Sequence, residues 1–149
     1  MSLPYQNAQS GERALAEIQG VLRTFGCSSF GSMLDFETGE LIVQFKWRGR
    51  TVDLRASANG YAAAWLKQNP YTSRRRSTKQ DWERKAQEIG STAVYSILRD
   101  WIKAQVTAIE TGLLSFEAVF MPHMLLPDGS RLIEAMPKLL GSPVEDADA

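Results

Sequence analysis

The sequence predicts an α+β fold: a three-stranded antiparallel meander packed against helices, in the order α-β-β-β-α, then a long helix and short C-terminal elements. Three observations lead there. Leu41, Val43, Phe45 and Trp47 alternate with Ile42, Gln44 and Lys46, the period of two that a half-buried strand requires. Gly-containing turns at Thr38-Gly39 and Arg48-Gly49 bracket that segment. On both sides of it, apolar residues recur at helical spacing.

Residues 1–9 read as a flexible lead. Ser10 then stands where an N-cap would, ahead of Leu15, Ile18, Val21, Leu22 and Phe25, and Gly26 stands where a helix stops. "SMLDF", "LIVQFKW" and "TVDLRAS" supply the three strands, with Val52 and Leu54 keeping the two-residue period. Asn59 precedes a short helix, "GYAAAWLKQN", which ends before Pro70 because the residue ahead of a proline is pushed out of the α region. Residues 70–79 form a basic loop. From about Gln80 to Thr111, the stripe Trp82, Ile89, Ala93, Ile97, Leu98, Trp101, Ile102, Val106 and Ile109 predicts one long helix, ended by Gly112. Ser115 opens a short helix, "FEAVF", and Pro127-Asp128-Gly129 marks a turn between short apolar arms.

The chain of 149 residues, 44% hydrophobic, suits one domain, expected over residues 10–140, with residues 141–149 as a disordered acidic tail. No stretch approaches the ~18 apolar residues of a membrane span, and the N-terminus lacks the basic start and apolar run of a secretory signal. Cys27 is the single cysteine, which excludes an intrachain disulfide, and a cytoplasmic location is expected.

Chemistry-bearing patterns are sparse. His123 is the only histidine, set between Pro122 and Met124, and reads as a packed residue. Cys27 reads as a small hydrophobe. The glycines follow no phosphate-loop order, and Asp35, Glu37 and Glu40 around one turn lack the ligand ladder of a calcium loop. The expectation is a non-enzymatic protein with no catalytic residues, no metal site and no cofactor.

Charge is the informative feature. The chain is formally neutral, yet Lys46 to Lys79 holds nine basic residues and one acid, Asp53, for a net +8, while Glu110 to Ala149 sums to −5. Lys46, Arg48, Arg50 and Arg55 belong to the second hairpin, and Arg74, Arg75, Arg76 and Lys79 to the loop. Were these two groups to converge, they would make one phosphate-binding field, with Tyr71 as the candidate to stack on a base. Trp65 and Trp82 are expected in the core. Nucleic-acid binding, to DNA or single-stranded DNA, is therefore the leading reading. The alternative is a protein-interaction module or homodimer that uses the 80–111 helix, with Trp101, Ile102 and Ile109 on its stripe.

Two resemblances add to this. The helix–strand–strand–strand–helix order of residues 10–69 resembles the topology of double-stranded-RNA-binding domains and, more loosely, the core of recombinational strand-annealing proteins. That family's basic run would fall where this chain has "NGYAAAWLKQ", with one lysine, so the resemblance implies a fold alone. The stretch "STAVYSILRDWIKAQVTAIETGLLSFEAVFMPHMLLPDGSRLIE" is similar to the ends of small uncharacterised proteins of tailed phages and prophages. It implies a phage accessory protein acting in a bacterial host, and supplies no site residues.

Overall fold

Ser10 accepts a hydrogen bond from the Arg13 amide, and with this cap the first helix, α1, runs Gly11–Phe25 in the computed structural model, which describes residues 2–141. Gly26 ends it at φ 106°, a left-handed conformation that glycine adopts without a Cβ penalty. Three strands follow: β1 (Ser29–Asp35), β2 (Glu40–Trp47) and β3 (Arg50–Ser57), paired antiparallel in the order β1-β2-β3. Leu41, Val43 and Phe45 of β2 and Val52 and Leu54 of β3 all face one side and are buried. The β2–β3 turn is two residues long, with Arg48 at φ 47° and Gly49 at φ 80°, the backbone that matches the twist of paired strands.

Ser57 caps α2 (Ala58–Gln68), which starts two residues earlier than Asn59 as the cap would suggest and stops before Pro70. Thr78 caps α3 (Lys79–Glu110), a 32-residue helix that supplies Val94, Leu98, Ile102 and Val106 to the core shared with α1 and the sheet. The expected α+β architecture is the observed one. Gly90 lets α2 and α3 approach closely: a Cβ there would stand 2.6 Å from the Ala58 carbonyl oxygen. A second apolar cluster, Ala62, Trp65, Trp82 and Ala86, lies at that end of the helix pair.

After α3 come α4 (Phe116–Phe120), a single 3-10 turn at Met121–His123, and α5 (Leu132–Leu140). The segment before α5 runs along β3, where the Leu125 amide donates to the Thr51 carbonyl and Met124 pairs with Val52. Of the arms expected around Pro127-Asp128-Gly129, the second is helical. The lead, expected to run free, is anchored. Leu3 packs on the second cluster, the Tyr5 hydroxyl donates to Asp100 at 2.6 Å, and the Tyr61 hydroxyl donates to the Pro4 carbonyl. Most of the expected acidic tail, residues 142–149, lies outside the described residues. Among the described residues, no helix is long and apolar enough to cross a membrane.

Candidate nucleic-acid interface

The connector from Asn69 to Thr78 is built on Trp82. Its indole nitrogen donates to the Asn69 carbonyl at 2.8 Å, and its ring tilts against Trp65 with centroids 5.0 Å apart. The guanidinium of Arg75 covers the same ring at 3.9 Å and donates from Nε to the Pro70 carbonyl at 3.3 Å. Arg75 is therefore exposed yet oriented, its stem and head held by an aromatic face. Arg74, Arg76 and Lys79 are exposed beside it. Tyr71 is half-buried against the Ala62, Trp65, Trp82 and Ala86 cluster rather than standing clear as a stacking ring. Trp65 and Trp82 are core residues, as expected.

The second hairpin is built on Trp47, whose ring stacks on Phe116 at 4.3 Å and on Phe25 at 5.2 Å. The Arg48 guanidinium lies 4.3 Å over that ring. Lys46 and Arg50 are exposed but diverge, because Lys46 shares the outer face with Gln44 whereas Arg50 pairs with Trp47 on the core side.

Convergence of the two groups is not what the fold produces. Gln87 donates to Asn59, and Asn59 donates to the Thr38 carbonyl, which ties that turn of α3 to the Asp35–Glu40 end of the sheet. From Gln87 back to Lys79 the helix extends 8 residues past this tie, or about 12 Å. The Arg48–Gly49 turn lies at the other end of β2, seven residues from Glu40, or about 23 Å away. The connector and the hairpin tip occupy opposite ends of the molecule. One continuous field spanning both is thereby excluded.

Arg55 leaves the set for a different reason. Its Nε donates to Asp53 at 2.8 Å, and its Nη1 lies 3.8 Å from Glu40. Asp53 is buried, with Gln44 as its other donor at 3.4 Å, so the Arg55 charge is spent on an internal carboxylate. Among the described residues, Lys46, Arg48, Arg50, Arg74, Arg75, Arg76 and Lys79 make no ion pair with a carboxylate. Lys67 and Lys85 were not among the nominated residues and extend the connector group. Lys67 is exposed at the end of α2, and the Lys85 ammonium lies 5.0 Å from the Trp82 centroid. The three-residue step from Trp82 to Lys85 along a helix was the signal for the latter.

Other nominated groups have structural partners. Asp35 accepts from the Glu37 and Thr38 amides and so shapes the β1–β2 turn. His123 meets Trp101 edge-on at 6.1 Å, and burial lowers it below the ordinary histidine range, with Arg131 adding to the shift and Asp53 opposing it. Burial pushes the Cys27 thiol up to about 11, the reverse of what a nucleophile needs. Ile102 is fully buried, and Trp101 and Ile109 pack on the core, so these three residues of the long helix's stripe are used within the fold, whereas Ile97 of the same stripe is exposed.

Fold and site together define an α+β protein with a helical hairpin tipped by cations that have no carboxylate partner among the described residues. No family model, no curated protein and no solved structure matches this chain.

Proposed function

We propose that this protein binds nucleic acid, DNA or single-stranded DNA, without catalysing a reaction, and that the α2–α3 connector is its principal contact. One observation supports this above the rest: Arg74, Arg75 and Arg76 on a connector braced by Trp65 and Trp82, and Lys79 at the start of α3 beside it, are exposed and lack carboxylate partners among the described residues. Bracing matters, because a connector already held in place loses less backbone entropy when its charges meet a phosphate. Arginine adds a planar fork that matches two phosphate oxygens. Such contacts position a strand without reading its bases, so the reading is of backbone binding without sequence preference. The hairpin tip, with Lys46, Arg48 and Arg50, is a separate and smaller cationic group. A phage or bacterial setting rests on the resemblance of the C-terminal half alone.

The test is fluorescence anisotropy with mixed-sequence single- and double-stranded oligonucleotides across a salt series. Log affinity should fall linearly with log salt, with a slope of about −0.7 to −0.9 per phosphate contacted. Replacing Arg74, Arg76 and Lys79 by Ala should flatten that slope by about 2 to 3, while the Lys46/Arg48/Arg50→Ala protein keeps most of it. Absence of binding at low salt, or equal binding by the connector variant, refutes the reading.

A further inference from the structure

The two edges of the sheet are treated differently. The outer edge of β3 is covered at its Thr51–Val52 end, where the Thr51 carbonyl accepts from Leu125 and Met124 bridges to Val52. Along β1, no described residue pairs with the outer edge. Natural proteins blunt such edges with lysine, proline, a bulge or brevity. β1 is seven residues, "SFGSMLD", in unbroken register with β2 from Ser29↔Lys46 to Asp35↔Glu40, and has no basic residue and no proline.

Which backbone groups point outward follows from the hairpins. A two-residue turn makes Trp47↔Arg50 a hydrogen-bonded pair, so Phe45, Val43 and Leu41 also bond towards β3. Lys46, Gln44, Ile42 and Glu40 then bond towards β1, using the groups of Ser29, Gly31, Met33 and Asp35. The amides and carbonyls left facing outward on β1 are those of Phe30, Ser32 and Leu34. These three are centred on Ser32, and an antiparallel partner centred there meets them one for one.

The side chains fit the same centre. A two-fold axis at Ser32 sets Phe30 against Leu34 of the second copy, Ser29 against its Asp35, and Met33 against its Gly31. No like charges face each other. Met33 is 58% exposed, and a Cβ built on Gly31 would meet nothing within 4 Å, so a protruding side chain lies opposite open space. The pair Gly31/Met33 is of the non-hydrogen-bonded kind, in which facing side chains come closest. Phe36, 91% exposed just past β1, comes alongside Ser28 of the second copy. There a cavity of about 230 Å³ lies between Arg23 and Phe30.

We propose that two copies of this chain join through their β1 edges, about a two-fold axis at Ser32, into one continuous six-stranded antiparallel sheet. The interface is isologous, each copy presenting the same strand to the other. It uses neither the connector nor the hairpin tip, so it stands apart from the nucleic-acid reading.

Sedimentation equilibrium of the full chain tests this. The native protein should sediment at twice its 16.6 kDa. Ser32→Pro removes an outward amide that no strand in the fold uses, and should sediment as a monomer. Gly31→Val fills the space opposite Met33, where the monomer has room for it, and should weaken self-association by about tenfold or more. Circular dichroism confirms folding, and Gly31→Val decides the matter if Ser32→Pro fails to fold. A native protein that remains monomeric at every concentration, or a dimer of undiminished strength in Gly31→Val, overturns the proposal.

Discussion

The guanidinium carbon of Arg75 lies 3.9 Å from the centroid of the Trp82 ring, and this stacking separates it from its neighbours Arg74 and Arg76, which touch no aromatic face. Three consecutive residues of one type thus have two roles. Arg75 braces the connector, and the other two are the freer charges.

That difference should appear in stability. Arg75→Ala is expected to cost about 0.5–1 kcal/mol, the worth of an exposed cation–π contact, whereas Arg74→Ala and Arg76→Ala should stay within about 0.5 kcal/mol of the native protein. Urea denaturation midpoints measure this, and equal losses in all three would remove Arg75 from its bracing role.

Two glycines inside helices should respond to alanine with opposite signs. Gly20 in α1 has nothing within 4 Å of a built Cβ, so Gly20→Ala should stabilise by about 0.5–1 kcal/mol through helix propensity. At Gly90 the same Cβ meets the Ala58 carbonyl at 2.6 Å and the Ala62 amide at 3.1 Å, both backbone atoms that cannot swing aside. Overpacking by about 1–3 kcal/mol then outweighs the propensity gain, and Gly90→Ala should melt lower.

Arg55 should prove structural. Arg55→Ala removes the 2.8 Å bond to buried Asp53 and leaves that carboxylate with Gln44 alone. A hydrogen bond to a charged group is worth about 1.5–3 kcal/mol, and a loss of that size in ΔG of unfolding is expected. Affinity for an oligonucleotide should be unchanged, measured by the same anisotropy titration. A large affinity loss would return Arg55 to the binding surface.

His123 gives the fold a pH dependence of defined sign. Its folded pKa is lowered from 6.5, chiefly by burial, so the unfolded chain binds the proton more readily. The contribution is fully present above the ordinary histidine value and is lost as pH falls below it towards the lowered folded value. Urea midpoints should therefore fall between pH 7.5 and pH 5.5 in the native protein and fall less in His123→Gln. Parallel declines in the two proteins would assign the pH dependence to other groups.

Much of the fold is legible in the chain because its signals are local. Gly26, Gly49 and Pro70 act on their own backbone, and the alternation of Leu41, Val43, Phe45 and Trp47 needs only the pleat of one strand. The candidate site was legible in part. Its exposed arginines could be named from composition, but the fate of Arg55 depended on Asp53 and Glu40, the latter fifteen residues away and brought near by strand register. Tyr71 likewise reads as exposed in the sequence, and packing of α2 against α3 half-buries it. A charge count along the chain cannot show which guanidinium a buried carboxylate will claim.

Residue order therefore established the elements, their sequence and the two cationic groups, since helix periodicity, strand alternation and turn chemistry all act within a few residues. Where those groups lie in space was set by packing over long separations. Gly90 against Ala58 and the Gln87–Asn59–Thr38 tie pin α3 at one end of the sheet, and Trp47 on Phe25 and Phe116 pins the hairpin at the other. A rigid 32-residue helix cannot bend to bring its two ends together. The charges it separates stay apart however close they stand in the sequence.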